Sequence, residues 1–182
     1  IQINQNQNLQ VVATSQVAGL ANIQRQYCTN STSGTWTFID WTQTIAADVA
    51  TSPITGNNKT LWAWTRCKDY PAVGEPDPNL TYSQLNNDIY YLIDADGLNP
   101  NFSQKVNLTG FYRPDLTLLP DTLRADRDTL RAYTCLSAFI DHNNFAHIAF
   151  TTRAYFQLEQ SSYWNASIIW HWSEQYPDSF RM

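Results

Sequence analysis

Short runs of alternating hydrophobic and polar residues recur along the chain from Thr35 onward, and residues that favour turns separate them. This alternation has the period of a half-buried β-strand, whose successive side chains point to opposite faces. The runs are TWTFIDWTQTIAADV, NKTLWAWTRCKDY, NDIYYLIDA, QKVNLTGFYR, DLTLLPDTLRA, LRAYTCLSAFI and FAHIAFTTR. Together with a short piece at residues 80–84, they predict about eight strands before residue 154.

Turn-forming residues connect several of these strands. Asp96–Gly97 follows NDIYYLIDA, and the sequence Asp-His-Asn-Asn at 141–144 joins the last two runs as a hairpin turn. Many short antiparallel strands predict an all-β domain, either a barrel or a sandwich. The periodicity alone does not choose between these two architectures.

The C-terminal region has a different spacing of hydrophobic residues. Its candidate helix face consists of Tyr163, Ala166, Ile169, Trp170 and either Trp172 or Ser173. This spacing predicts an α-helix near residues 159–175, which Pro177 would end. A strand is the alternative, because residues 168–172 are β-branched or aromatic.

Length and composition indicate one globular domain. The chain has 182 residues, of which 43% are hydrophobic, enough to bury a sizeable core. Residues 1–27 are rich in Gln and Asn and predict an N-terminal arm that packs on the body or frays, which leaves residues 28–182 as the domain. The net charge of −5 argues against a nucleic-acid partner. No hydrophobic run approaches the ~18 residues of a membrane span.

Two features predict a secreted, extracellular glycoprotein. The N-glycosylation pattern Asn-x-Ser/Thr occurs at Asn30, Asn58, Asn79, Asn101, Asn107 and Asn165. The sequence also starts at Ile1 rather than Met, which a removed signal peptide would explain, as would a shortened chain.

Enzyme and metal motifs are absent from the sequence. It contains no Gly-x-Ser-x-Gly, no His-Glu-x-x-His and no phosphate-binding glycine loop. Asp94 and Asp96 are expected to cap a hairpin rather than to act as paired catalytic acids. The spacing of His142, His147 and His171 does not suit metal binding, and no Cys-x-x-Cys occurs. We therefore expect no enzyme activity, no catalytic cofactor and no metal site, and we expect His142 to lie in solvent.

Three separated motifs carry a family resemblance. Gly34-Thr35-Trp36 stands at the start of the first alternating run, RADRDTLRAYTC at 124–135 includes Asp126, and HIAFTTR at 147–153 ends in Arg153. These places resemble the Gly-x-Trp, the aspartate-containing turn and the strand-ending arginine of the lipocalin family. The resemblance is greatest to its invertebrate bilin-binding, carotenoid-binding and apolipoprotein-D-like members.

The resemblance implies an eight-stranded antiparallel up-and-down barrel with a C-terminal helix. In such a barrel Gly34 would let the chain bend inward, Trp36 would plug the closed end, and Arg153 would lie across the indole. Asp126 would belong to the turn at the same end. The cysteines fit as well: the resemblance pairs Cys28 with Cys135 and pairs Cys67 with a cysteine beyond Met182.

The resemblance also implies a carrier of a small hydrophobic ligand, such as a tetrapyrrole like biliverdin, a carotenoid or a lipid. Rigid aromatic side chains suit the lining of such a pocket. The candidate lining residues are Trp36, Phe38, Trp62, Trp64, Ile89, Tyr91, Phe111, Tyr133 and His147. Assembly into homo- or hetero-oligomers is a further implication. The alternatives are a secreted β-sandwich interaction module with a filled core and, more weakly supported, a hydrolase on a β scaffold.

Overall fold

The computed structural model describes residues 1–16, 24–32, 35–68, 85–98, 100–110, 128–156 and 161–181. Within these ranges, the description of residues 14–16, 24–32, 35–41, 43, 128–129, 154–156 and 161–166 concerns the backbone. Within these ranges the regular structure consists of antiparallel β-strands and one turn of 3₁₀ helix, η1, at Phe102–Gln104. The predicted all-β, antiparallel class is therefore confirmed. The described strands form two sheets.

The first sheet is built from the N-terminal part of the chain. Its strands are β1 (Gln2–Ile3), β2 (Leu9–Gln16), β3 (Gln24–Thr32) and β4 (Thr35–Gln43), in the order β1-β2-β3-β4. The boundary expected between residues 27 and 28 thus falls inside β3. Most of the expected arm is sheet because its backbone groups pair with neighbouring strands, which a polar composition does not prevent.

The second sheet contains the remaining strands in the order β12-β11-β10-β9-β7-β6-β5, with β8 paired to β7 beside this path. Its strands are β5 (Ala47–Thr51), β6 (Thr60–Cys67), β7 (Asn87–Asp94), β8 (Val106–Asn107), β9 (Asp128–Ile140), β10 (Ala146–Phe156), β11 (Ser161–Ser173) and β12 (Phe180–Arg181). No pairing between described strands closes this sheet into a barrel, and β5 and β12 are its described edges.

The second sheet folds over on itself where β7 meets β9. The ladder pairing between these strands is Asn87 opposite Ala132, so they diverge on either side of that point. Strands β5 and β6 therefore lie across β9. The Asp48 carboxylate of β5 accepts a hydrogen bond of 2.8 Å from the backbone N–H of Ala138 on β9. The sheet thus forms two facing layers, β5–β7 and β9–β11.

Large hydrophobic side chains fill the space between these layers. The buried core residues are Ala50, Leu61, Ala63, Ile89, Leu130, Ala132, Ala138, Ile140, Ala146, Ile148, Phe150, Trp170 and Trp172. Tyr91 of β7 reaches across to Trp172 of β11, with ring centroids 4.9 Å apart. Aromatic contact of this kind adds to the free energy gained from burying the rings.

A second core lies on the opposite face of β5–β7. Its buried residues are Val49, Trp62, Trp64, Leu92 and Phe102, and Val12 of the first sheet packs against them. All eight residues of β6 are consequently buried. The β5–β7 layer is the middle of the described molecule, covered on one side by β9–β11 and on the other by β2 and η1.

The predicted helix near residues 159–175 is wrong. This segment forms β11, which pairs antiparallel with β10 and places Ile169 opposite Thr151. Trp170 and Trp172 are buried while Ile169 is 68% exposed, so burial follows the two-residue period of a strand. Pairing with β10 outweighs the local helical spacing, as tertiary contacts commonly do for β-branched and aromatic segments.

Predicted turns occur at both expected places. At Asp141–Asn144, Asn144 adopts φ 67° and its N–H bonds Asp141 O at 3.0 Å. At Asp96–Gly97, Asp94 accepts from the N–H of Asp96 and Asp96 accepts from that of Leu98. These acids therefore cap the turn as expected. Burial raises the pKa of Asp94, and the neighbouring Asp96 raises it further.

Candidate binding site

The predicted ligand-lining residues of β6 and β7 do not share one cavity. Trp62 and Trp64 belong to the core that faces η1, whereas Ile89 and Tyr91 face β9–β11. Successive side chains along a strand point to opposite faces of the layer. The four predicted lining residues therefore lie on both faces. His147 lies on a third surface, the outer face of β10.

The remaining predicted lining and barrel-closing residues are placed only in part. Arg153 is buried with its guanidinium carbon 4.1 Å from the ring centroid of Tyr133, a cation–π contact. Burial lowers the pKa of Arg153, while Tyr133 and Cys135 raise it. Trp36 and Phe38 lie on β4, where the description concerns the backbone. Gly34, Phe111 and Asp126 lie outside the described residues, so the Trp36–Arg153 plug stays a prediction.

The cysteines lie on different strands. Cys135 is an exposed, free thiol on β9 of the second sheet, and Cys28 is on β3 of the first sheet. Because the sulfur of Cys135 is a free thiol, the predicted Cys28–Cys135 bridge is not formed in this structure. Cys67 is buried on β6, and its predicted partner lies beyond the described residues.

The predicted glycosylation sites have different surroundings. Asn101 is exposed, whereas Asn58 and Asn107 are partly buried. The amide nitrogen of Asn107 donates to Asp88 at 3.0 Å and to Tyr90 at 3.2 Å, so in the folded chain it is less available than that of Asn101. Asn30 and Asn165 are described by their backbone, and Asn79 lies outside the described residues.

A cluster of three rings stands on the outer face of β9–β11. The strand register brings three side chains together. His147 of β10 lies opposite Phe139 of β9, and His171 of β11 lies opposite Ala149, two residues after His147 on the same face of β10. We call Phe139, His147 and His171 the ring cluster. Phe139 is 44% exposed, which is unusual for a large hydrophobic side chain at the middle of a sheet face.

The two histidines of the ring cluster lie edge to edge. His147 Nδ1 and His171 Nε2 are 3.0 Å apart, the ring planes differ by 8° and the centroids are 5.1 Å apart. A hydrogen bond between ring edges with parallel planes makes the pair one nearly flat surface. Phe139 stacks on His147, with centroids 4.4 Å apart and planes 3° apart.

Asp141 sets the electrostatics behind His147. Its Oδ2 lies 3.3 Å from His147 Nε2, but the two atoms form no hydrogen bond, so the contact is electrostatic. Burial raises the pKa of Asp141, but the hydrogen bonds from the N–H groups of Phe145 and Asn143 and the proximity of His147 outweigh it, and the net pKa is lowered. The resulting negative charge favours a proton on His147 Nε2. His147 Nδ1 then accepts from the Nε2–H of His171.

His171 is consequently a neutral acceptor near neutral pH. Burial lowers its pKa, and the neighbouring His147 and Arg181 lower it further. Because the Nε2–H of His171 donates its hydrogen bond to His147, the lone pair of the neutral His171 ring is on Nδ1. This nitrogen can accept a hydrogen bond from a hydroxyl group.

The C-terminal turn makes a cleft beside the two histidines. Its volume is about 410 Å³, including the space open to solvent, and the histidines share its lining with Ser173, Gln175, Tyr176, Ser179 and Arg181. The guanidinium carbon of Arg181 lies 5.2 Å from the ring centroid of Tyr176. Tyr176 is 50% exposed. The cleft therefore combines flat rings, neutral hydrogen-bonding groups and one permanent positive charge.

A second, more apolar cavity lies at the fold between β7 and β9. The room inside it is about 20 Å³, enough for one water molecule, and Leu130, Phe150, Trp170 and Phe180 supply its apolar walls. Asp88 and Arg131 contribute a buried ion pair of 3.5 Å at its polar end.

Comparison with models of protein families, with curated proteins and with solved structures found no significant match to this chain. The lipocalin resemblance therefore stays a prediction from the sequence motifs. The described ranges contain no helix of the length and apolarity needed to cross a membrane. The same ranges contain no group of three or more His, Cys, Asp or Glu side chains arranged to hold a metal ion.

Of the residues that line the cleft, the sequence predicts a binding role for His147 alone. His171 was expected on a helix, and Phe139 was assigned no function. A usable signal was present in the sequence Trp-His-Trp at 170–172. A polar residue between two large aromatics is the pattern of a strand that buries the aromatics and presents the polar residue outward.

Proposed function

We propose that the chain is a secreted β-sandwich recognition module that binds a saccharide of its partner in the cleft beside the ring cluster. It performs no chemistry on that saccharide. The observation that carries the proposal is the open cleft in which a flat imidazole pair meets serine, glutamine, tyrosine and arginine side chains.

A filled interior supports a module over a carrier. A carrier must keep an apolar hollow as wide as its ligand. In this chain Phe150, Trp170 and Trp172 occupy the space between the two layers of the second sheet, at positions where a barrel would hold its cargo. Binding is then expected at a surface rather than inside.

The chemistry of the cleft supports a saccharide. A sugar ring offers C–H faces that pack on flat π surfaces and hydroxyl groups that need hydrogen-bond partners on every side. The face of His171 and the ring of Tyr176 supply the flat surfaces. Ser173, Gln175 and the lone pair of His171 Nδ1 supply donors and acceptors. Such a cleft needs no deep burial, because its ligand is well hydrated.

A glycan array tests this proposal. The chain, produced through a secretory pathway, is expected to bind a subset of immobilised glycans, and His171→Ala should abolish the signal by removing one flat surface and one acceptor. His142→Ala is the matched control, because His142 is an exposed histidine of the β9–β10 turn outside the cleft. Failure of the intact chain to bind any glycan would contradict the proposal.

The second proposal is the lipocalin-like carrier of a small hydrophobic ligand, and two observations favour it. The second sheet curls until β5 meets β9, as a sheet approaching closure would. The cavity at the fold between β7 and β9 has apolar walls. Organic extraction of the purified chain followed by mass spectrometry separates the proposals. A stoichiometric pigment or lipid favours the carrier, and an empty extract counts against it.

A further inference from the structure

We infer that the saccharide taken by the cleft carries a carboxylate, which Arg181 binds. This inference rests on the proposed function and adds the charge class of the ligand. Arg181 lies on β12, opposite His171 of β11, so the sheet register fixes it at the edge of the flat imidazole pair. A guanidinium pairs a carboxylate through two parallel hydrogen bonds, which gives direction as well as charge.

The charges around the cleft favour an anion. Arg181 is the one permanent charge among the described lining residues, and none of them is acidic. Two acids near the cleft are occupied elsewhere: Asp141 lies beside His147, and Glu174 binds Lys59 and the N–H of Ala146. A third acid, the exposed Asp178, belongs to the same turn but does not line the cleft. The chain as a whole has a net charge of −5. A cationic cleft on an acidic protein therefore serves local recognition rather than long-range attraction.

Arg181 is also available to a ligand. Its side chain is exposed and lies over the ring of Tyr176, a contact that orients the guanidinium and leaves its edge donors for other partners. Among the described residues it has no acidic partner.

Ligand-observed NMR titration with two matched probes tests the inference. Methyl β-D-glucuronide and methyl β-D-glucoside differ in the carboxylate, and the glucuronide is expected to bind about tenfold or more tightly. Arg181→Gln should remove this preference, and Arg181→Lys should retain part of it. Lys105→Gln, which removes a cation next to η1 on the far side of the middle layer, should leave the preference unchanged.

The other outcomes of the titration overturn either the inference, the saccharide assignment or the proposed function. Equal binding of both glycosides, or a preference that survives Arg181→Gln, overturns the inference and leaves the proposed function standing. Inorganic phosphate that competes as well as the glucuronide shows a general anion site and overturns the saccharide element. Binding of neither glycoside, together with a silent glycan array, overturns the inference and the proposed function together.

Discussion

The turn after β7 brings the backbone of Gly97 against the backbone of Asn58. Gly97 has φ 64°, and a Cβ there would lie 2.1 Å from Asn58 O and 2.9 Å from the Asn4 side chain. The carbonyl of Gly97 also accepts from Asn4 and Gln10. Gly97 therefore joins the N-terminal segment to the middle layer. A side chain at this position would strain its positive φ and would clash with the backbone of Asn58.

Gly97→Ala is expected to lower the free energy of unfolding by about 2–4 kcal/mol, as the sum of left-handed strain and a backbone clash. Gly56→Ala is the matched control, because Gly56 has φ 78° but a Cβ added to it would meet no atom within 4 Å. It should cost about 1–2 kcal/mol from backbone strain alone. Urea denaturation measures the free energy of unfolding of both variants. Equal losses of stability would contradict the backbone clash expected for Gly97→Ala.

His171 predicts a loss of stability in mild acid. Its pKa is lowered by burial and by His147 and Arg181, so the unfolded chain takes up the proton at about pH 6.5 and the folded chain at a lower pH. Between these values the unfolded state binds more protons, and the free energy of unfolding falls as pH falls. The contribution is fully present above the unfolded pKa.

Urea denaturation at pH 7.5 and pH 5.0 measures this effect. The intact chain is expected to lose more stability on acidification than His171→Gln, whereas His142→Gln should behave like the intact chain. Asp141 does not confuse the comparison, because its lowered pKa acts below the ordinary aspartate value of about 3.9. An identical pH dependence of His171→Gln and the intact chain would refute the assignment.

At the scale of the element, β11 separates two structural hypotheses. As a helix, the segment would place Ile169 and Trp170 on one buried face. As a strand it buries Trp170, whose indole N–H donates to Thr152 at 2.7 Å, and leaves Ile169 68% exposed. Replacing Trp170 and replacing Ile169 should therefore lower the stability by unequal amounts if the segment is a strand, and by similar amounts if it is a helix.

Trp170→Ala is expected to destabilise the chain by about 3–5 kcal/mol, because it leaves a cavity in the core. Ile169→Ala should change stability by no more than about 0.5 kcal/mol, as at other exposed positions. Thermal or chemical denaturation of both variants provides the measurement. Comparable destabilisation by the two would speak for the helix and against β11.

The β class and the turns could be predicted from the sequence because both depend on local patterns of residues. Alternation in LWAW at 61–64 and the turn residues at 141–144 needed no knowledge of distant partners. The fate of residues 161–173 depended on β10, and the two faces of β6 depended on which layers cover them. Such non-local packing also decides which side chains form a cleft, so His147 was found without its neighbours.

At the scale of the whole molecule, the ion pair between Lys59 and Glu174 links the two layers of the second sheet. Lys59 precedes β6 in the middle layer, and its ammonium group contacts the carboxylate of Glu174, which follows β11 in the outer layer. The same ammonium donates to Asn144 O, and the carboxylate accepts from the N–H of Ala146. This network therefore holds the β9–β10 turn and the chain after β11 against the middle layer.

A double-mutant cycle with Lys59→Met and Glu174→Gln tests that network. Each single change should cost about 1–3 kcal/mol, because it leaves a largely buried charge or a backbone donor with a poorer partner. Since the groups touch, the double variant should cost less than the sum of the singles, with a coupling of about 0.5–3 kcal/mol. Lys105→Met paired with Glu174→Gln is the control cycle and should be additive. Additivity of the Lys59 and Glu174 changes would mean that this ion pair does not couple the two layers.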